Sequence, residues 1–308
     1  MQATTPSYRE AEARVLASLP PRPSESHKGS YGNALLYCGS AAYTGAAMLA
    51  AMGALRAGAG ITHLAAPEVA LLPVRIRLPE VVCHPIAGVN EQPAVLAAAD
   101  QTVGARGCIL IGCGIGRGNG SQAAAFREAL SSLLVTRGVP IVLDADALNM
   151  ISTDPCATKA LLASAARPLV LTPHPAEFAR LTGLSVTEVQ ANRHDLAAAF
   201  AKEAGVTLLL KGRGTVVAAQ DGSYTVNPSG SPALAKGGSG DVLAGVITGL
   251  IAGGMPPTEA AFAAAFLHGA AGEWLERQDS PYGLLPSDLP AAIAREMQRL
   301  TSGQAQTP

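Results

Sequence analysis

The polar and apolar positions of this chain fall into short, fully apolar runs separated by longer stretches with helical spacing. The runs at 34–38, 61–65, 108–111, 141–143, 169–171 and 206–210 are rich in branched side chains. They suit strands buried on both faces, because a strand with one wet face alternates instead. Between them, 45–57, 121–136, 157–165 and 175–204 carry helical patterns. Strand, helix, strand at this rhythm predicts an α/β fold: a parallel sheet with helices on both faces. The pattern changes after Lys211. Two short runs, 215–220 and 223–226, flank Asp221-Gly222, a dipeptide suited to a tight turn, and predict a hairpin at the sheet edge. Beyond it, about 239–253, 258–277 and 287–301 read as helices that close the fold. Residues 1–26 are polar and proline-bearing, with a short helix at 8–18, and are expected to form a surface lead-in to a single domain at 27–303. No internal repeat or low-complexity tract is present.

Composition narrows the class. Of 308 residues, 48% are hydrophobic and 15% charged, which supplies a core for both faces of a sheet and excludes disorder for most of the chain. A net charge of -1 exerts no long-range pull on a polyanion, and 4% aromatic residues offer few stacking platforms, so no nucleic acid is expected as a partner. Cys38, Cys83, Cys108, Cys113 and Cys156 form an odd, scattered set without a CxxC pair, and read as small core residues of a reduced protein. The first residues lack a basic stretch followed by an apolar run, so no signal peptide is expected and a cytoplasmic location is. The segment 242–255 imitates a membrane helix, with Gly245, Gly249 and Gly253 at small-xxx-small spacing. It is too short to cross about 30 Å of hydrocarbon and is expected to be a buried helix, with no membrane as partner.

Chemistry-bearing residues gather where the apolar runs end. Gly237, Gly238, Ser239 and Gly240 precede Asp241 and the most apolar helical stretch. Such a loop presents free backbone N–H groups to an anion, and the helix dipole adds favourable charge. A plain helix cap by Asp241 would use the same residues, but one glycine suffices for a cap, whereas three let a ligand approach the main chain. Lys211, Gly212, Arg213, Gly214 and Thr215 follow an apolar run; alone they are an ordinary turn, and with the glycine loop they mark a phosphate site at the carboxyl edge of a parallel sheet. Asp144, Asp146 and Asn149 sit at another strand tip, and His174 and Glu177 in a strand-to-helix corner held extended by Pro173 and Pro175. A cap, or a satisfied structural histidine, is the plainer reading of each taken singly. Gly112, Gly114 and Gly116 lack the spacing and the following acidic residue of a dinucleotide fingerprint, so a Rossmann NAD site is rejected. His63, His84, His194 and His268 have no motif around them and receive no role.

The ordered set HKGSYGNALLYCGS, YTGAAMLAA, ALRAGAG, GCGIG, LDADALN, LTPHPAEFARLTG, KGRGT and ALAKGGSGDVLAGVITGLIAGG resembles the dehydratase-type domain of the NAD(P)H-hydrate repair enzymes, within the ribokinase-like superfamily. The resemblance spans roughly residues 24–277; each motif is weak alone and the ordered set is specific. It implies a ribokinase-like fold with a central, mostly parallel sheet, helices on both faces and an edge hairpin. It also implies ADP-dependent dehydration of hydrated NADH or NADPH (the S epimer) back to NAD(P)H, with phosphoryl transfer from ADP giving AMP and phosphate; some members use ATP. Asp241 matches the position of the general base. Ala46, Gly114, His174 and Asp241 match hydrate-contacting positions, and Lys211, Gly212, Arg213, Gly214 and Thr215 with Gly237, Gly238, Ser239 and Gly240 match the nucleotide side.

The family often has Thr where Ser239 stands, and Lys236 occupies a variable place from which it could add a phosphate contact. Mg²⁺ is expected with the nucleotide, because polyphosphate charge must be neutralised, and Glu177 and Asp144 are the candidate carboxylates. The family's companion epimerase is often fused at the amino end; the residues ahead of the resemblance are too few to hold it, so a stand-alone dehydratase paired with a separate epimerase is expected. A small-molecule kinase of the same superfamily would need the same glycine loop, and the His174-Pro-Ala-Glu177 corner with LDADALN favours the dehydratase. A homo-oligomer is compatible with the sequence, which does not specify the state.

Overall fold

The apolar runs become neighbouring strands of one sheet in the computed structural model, which describes residues 3–86, 92–118 and 120–302. In chain order the elements are β1 (Ala3–Thr4), α1 (Tyr8–Ser18), β2 (Asn33–Tyr37), α2 (Thr44–Arg56), β3 (Ile61–Pro67), α3 (Glu68–Arg77), β4 (Val81–Ile86), α4 (Gln92–Val103), β5 (Gly107–Ile111), α5 (Gly120–Leu134), β6 (Ile141–Leu143), α6 (Ala145–Ile151), α7 (Pro155–Ala163), β7 (Leu169–Leu171), α8 (Pro175–Thr182), α9 (Val186–Ala191), α10 (Arg193–Ala204), β8 (Thr207–Leu210), β9 (Val216–Ala218), β10 (Tyr224–Val226), α11 (Ser239–Ala252), α12 (Pro257–Gln278) and α13 (Leu289–Ser302). The ten strands lie in the order β1-β10-β9-β8-β7-β6-β5-β2-β3-β4. All pair in parallel except β9, which runs antiparallel to both β8 and β10.

Alternate residues of each strand enter different apolar layers, as the pleat requires. Leu36, Leu64, Leu110, Val142, Val170 and Leu209 face the layer containing α2, α11 and α12. Leu35, Ile109, Ile111, Leu143, Leu171 and Leu208 face the layer containing α5, α8 and α10. Both faces are covered, which is why the strands read as continuous apolar runs rather than alternating ones.

The chain winds from β2 outward to β4, then returns to β5 on the other side of β2 and winds the opposite way. The β2–β5 junction is therefore a topological switch point, where the loops after the two strands diverge and leave a crevice at the carboxyl edge. The glycine spacing in α11 serves packing there. A Cβ on Gly245 would lie 2.1 Å from Ala50 O and one on Gly249 2.5 Å from Ala54 O, so α2 and α11 approach through bare backbone. Among the described residues no helix is long and apolar enough to cross a membrane.

The structure departs from the sequence expectations in three places. Stretch 175–204 is three helices, because Gly183 (φ 74) closes α8 in the left-handed conformation and Ser185 with Glu188 forms a capping box that starts α9. The lead-in is docked rather than superficial: Ala11 and Val15 of α1 are fully buried, Tyr8 packs edge-on against Phe266 of α12, and β1 adds a strand beside β10. Finally, α3, β4, α4 and α6 were not legible. Pro73 inside α3 and Pro85 inside β4 disguise both, and β4 tolerates its proline because it is the edge strand.

Candidate active site

The carboxyl ends of β2, β5, β6, β7 and β8 deliver most of the sequence-selected residues to one edge, and the start of α11 completes the site. At the switch point Gly39 N donates to Cys113 O at 2.7 Å and Gly112 N to Tyr37 O at 3.1 Å, which ties the two loops together. Gly114 (φ 66) then passes so close to α2 that a Cβ would lie 2.8 Å from Ala46 Cβ. Ala46 and Gly114, chosen from distant motifs, are thus neighbours.

At the tip of β6 the chain turns through Ala145 at φ 48, the one non-glycine residue in the left-handed region among those described. The turn points Asp144, 2% exposed, into the site and lets Asp146 Oδ2 accept from Gly116 N at 2.9 Å. From β8, Lys211 Nζ donates to Asp144 Oδ1 at 2.8 Å and lies 3.9 Å from Glu177 Oε2. Burial alone would lower the Lys211 ammonium, but Asp144 and Glu177 outweigh it and hold it above its ordinary value.

After β7, His174 caps α8. Its Nδ1 accepts from Ala176 N at 3.1 Å and Glu177 N at 3.3 Å, which leaves the proton on Nε2, 3.1 Å from Glu177 Oε1. Glu177 Oε2 in turn accepts from His174 N at 2.8 Å. Burial works to raise the Glu177 carboxyl; the hydrogen bonds from His174 and the Lys211 charge overcome it and hold it below the usual range. Arg193 of α10, unassigned by sequence, fixes the following turn by donating to Leu210 O and Lys211 O, both at 3.1 Å. Thr215 Oγ1 closes that turn on Gly212 O at 2.9 Å, and Arg213 is exposed.

The glycine loop resolves the question of the helix cap. The N-cap of α11 is Gly238 (φ 100), which makes no side-chain capping bond, and Asp241 is the third helical residue. The first-turn N–H groups therefore have no capping side chain to satisfy them, as an anion site requires. Ser239 spends its own groups on the fold: its N–H donates to Lys236 O at 3.2 Å, and its hydroxyl lies 3.0 Å from His268 Nε2. Gly240 and Asp241 follow it in the first turn, where no capping side chain reaches their amides. Gly240 adjoins the cation, since a Cβ there would lie 3.4 Å from Lys211 Nζ. Lys236, which the sequence left open as an added phosphate contact, donates to Tyr282 O and Leu284 O, both at 2.5 Å.

Burial first, and then the Asp144 charge, push the Asp241 carboxyl up to about 6. It remains mostly ionised at neutral pH and close enough to it to exchange a proton. Two further residues escaped the sequence reading. His268, driven down to about 4 by burial, is neutral and anchors Ser239. A single histidine in the otherwise apolar stretch 260–272 was the available signal, since a buried polar group needs a partner. Cys113, read as core, is buried but points its thiol at Asp144 Oδ2, 3.7 Å away.

A family model described as NAD(P)H-hydrate dehydratase matches residues 34–295. The chain is 40% identical over 281 residues to the bifunctional NAD(P)H-hydrate repair enzyme of Moorella thermoacetica, an alignment covering 89% of this chain and 50% of that protein. It is 36% identical over 288 residues to the ADP-dependent (S)-NAD(P)H-hydrate dehydratase of Bacillus subtilis, covering 94% of this chain and 97% of the relative. A crystal structure of an ADP/ATP-dependent NAD(P)H-hydrate dehydratase from Bacillus subtilis, co-crystallised with ATP and Mg²⁺, matches with a TM-score of 0.81 at 35% identity, over 94% of this chain and 97% of the other. A ribokinase-like superfamily protein from Enterococcus faecalis matches with a TM-score of 0.77 at 26% identity, over 97% and 96%. The mostly parallel sheet with flanking helices is thus the ribokinase-like fold. The chain spans about half the length of the bifunctional relative and nearly all of the stand-alone one.

Proposed function

The chain belongs to the NAD(P)H-hydrate dehydratase family, enzymes of the lyase class, and from that premise we propose that it converts the S epimer of hydrated NADH or NADPH back to the reduced nucleotide at the expense of ADP. ATP serves as the alternative phosphoryl donor. The observation that carries this reading is the meeting, at one sheet edge, of an uncapped helix N-terminus, the buried cation Lys211 and a carboxylate poised at about 6.

Hydroxide is a poor leaving group, and phosphoryl transfer to the ring hydroxyl converts it to phosphate. Asp241 takes the hydroxyl proton as its oxygen bonds to the β-phosphorus of ADP and the bond to AMP breaks. The Gly240 and Asp241 amides and the Lys211 ammonium stabilise the charge on the transferring group. The lone pair of the ring nitrogen then helps expel phosphate, and loss of a proton from the adjacent carbon restores the ring double bond. Ala46, Gly114 and His174 line the hydrate side, with His174 oriented by Glu177. The turn from Gly212 to Thr215 lies on the nucleotide side.

Mg²⁺ would neutralise the polyphosphate. Asp144 and Glu177 fit it by donor chemistry, since it prefers carboxylate and phosphate oxygens with retained waters, and both flank Lys211. An epimerase activity would supply the S form. The test is stoichiometry: AMP and phosphate quantified against NADH formed should each equal it. Phosphate released without NADH, or a vitamin alcohol phosphorylated with the hydrate untouched, would refute the reading.

A further inference from the structure

The two oxygens of Asp144 face different chemistry. Oδ1 accepts from Lys211 Nζ at 2.8 Å, while Oδ2 lies 3.7 Å from Cys113 Sγ. Asp241 completes a cluster in which the Cys113 sulfur and one oxygen from each carboxylate all lie within 4.8 Å of one another. Cys113 is fully buried and Asp144 is 2% exposed, so these two donors are held by packing. Cys38, fully buried, belongs to the same apolar layer as Cys113.

This donor set is wrong for Mg²⁺, which is hard and takes oxygen alone. It suits zinc. Zinc binds thiolate at about 2.3 Å and carboxylate at about 2.0 Å, so at a tetrahedral angle it spans about 3.5 Å from sulfur to oxygen. The separation found here is 3.7 Å. We propose that Cys113, Asp144 and Asp241 form a zinc site inside the active centre, selective for borderline-soft divalent cations over Mg²⁺, and that its occupation blocks the reaction.

On binding, the Cys113 S–H bond breaks, a Zn–S bond forms and the proton leaves to solvent. One divalent cation neutralises the thiolate and two carboxylates beside the Lys211 charge. Asp144 keeps Lys211 on Oδ1 and offers Oδ2 to the metal. Water, or a nucleotide phosphate oxygen, takes the fourth position. Asp241, once a ligand, no longer accepts a proton from substrate, and excess Mg²⁺ does not relieve the block because it does not replace sulfur as a partner. The blocking half of this inference rests on the function proposed above; the metal site does not.

The test uses the full chain without nucleotide. Co²⁺ is added as a spectroscopic stand-in, then Zn²⁺ as competitor. The parent should show a thiolate-to-cobalt charge-transfer band in the near ultraviolet that one equivalent of Zn²⁺ abolishes. Cys113→Ser and Cys113→Ala should lose the band and weaken zinc binding by at least about 10-fold, since a lost ligand costs no less than a lost outer-shell partner. Absence of the band in the parent, where no variant's folding is at issue, overturns the site. So does a band that persists in Cys113→Ser, or unchanged zinc affinity in that variant. In the dehydration assay Zn²⁺ should abolish parental turnover in the presence of excess Mg²⁺. Zinc that binds without inhibiting overturns the block. A parent with no dehydratase turnover at all would sink the catalytic reading while the cobalt band still decides the site.

Discussion

Lys211 and Asp144, brought from the ends of β8 and β6, meet at 2.8 Å with Glu177 3.9 Å from the same ammonium. Each anion is buried against this one cation, so the three groups stand or fall together. Replacing Lys211 by Met should destabilise the protein by about 3–5 kcal/mol at neutral pH, because it leaves two carboxylates buried without a counter-charge. Glu177, held below its ordinary value, contributes stability that is present above that value and lost as pH falls. The deficit of Lys211→Met should therefore shrink in acid, and Lys211→Met/Asp144→Asn should recover part of it. Melting curves of the two variants across pH check this; a deficit independent of pH contradicts it.

Asp241 gives a pH signature of opposite sign in rate and stability. A base must be ionised, so turnover should rise with pH through about 6 and then level. Asp241→Asn should lose that limb and lower turnover by about 10² to 10⁴ while still binding nucleotide. For stability, a carboxyl raised above its unfolded value costs nothing while protonated in both states, and its cost is complete once pH exceeds the folded value. Asn removes that cost. The variant should match or exceed the parent at pH 8, by up to about 3 kcal/mol, and near-parental turnover would remove Asp241 from catalysis.

Gly240 tests the anion cradle without disturbing the fold. Its Cβ position is free of close backbone and lies 3.4 Å from Lys211 Nζ, whereas a side chain on Gly238 (φ 100) would strain the cap and meet Leu49 Cδ1 at 2.6 Å. Ala is also the better helix former, by up to about 1 kcal/mol at interior positions and by less in the first turn, where Gly240 sits. Gly240→Ala should therefore keep or raise the melting temperature while weakening ADP binding by about tenfold or more, equivalent to about 1.4 kcal/mol. Unchanged affinity in calorimetry would place the phosphates elsewhere.

Ala145 holds φ 48 between Asp144 and Asp146. A left-handed alanine costs about 1–2 kcal/mol that glycine avoids. Ala145→Gly should stabilise the native state by about 1 kcal/mol, less the backbone entropy glycine brings to the unfolded chain. Denaturant melts decide it: a loss of stability would mean that the turn relaxes away from the left-handed region.

The signals that a sequence carries openly are the local ones. The strands bearing the site, β2, β5, β6, β7 and β8, announced themselves because burial on both faces makes them continuous apolar runs. The glycine loop and the Lys211 turn were legible because a backbone that approaches an anion needs glycine. Edge strand β4 was hidden by Pro85, and the breaks in 175–204 by a helical pattern that persists across Gly183. His268 and Cys113 were missed because their meaning lies in partners 29 and 31 residues away, Ser239 and Asp144, which no local pattern encodes. Lys236 was left open for the same reason: its acceptors, Tyr282 O and Leu284 O, come from the loop before α13.

On the function proposed above, this site restores reduced nicotinamide only when a nucleotide supplies the phosphoryl group. The direct measurement is absorbance of NADH on adding the protein, with Mg²⁺, to purified S-hydrated NADH with and without ADP. The NADH band should recover with ADP, more slowly with ATP, and not at all with protein and Mg²⁺ alone. Recovery without nucleotide, or no recovery with either nucleotide from folded protein that binds ADP, would contradict it.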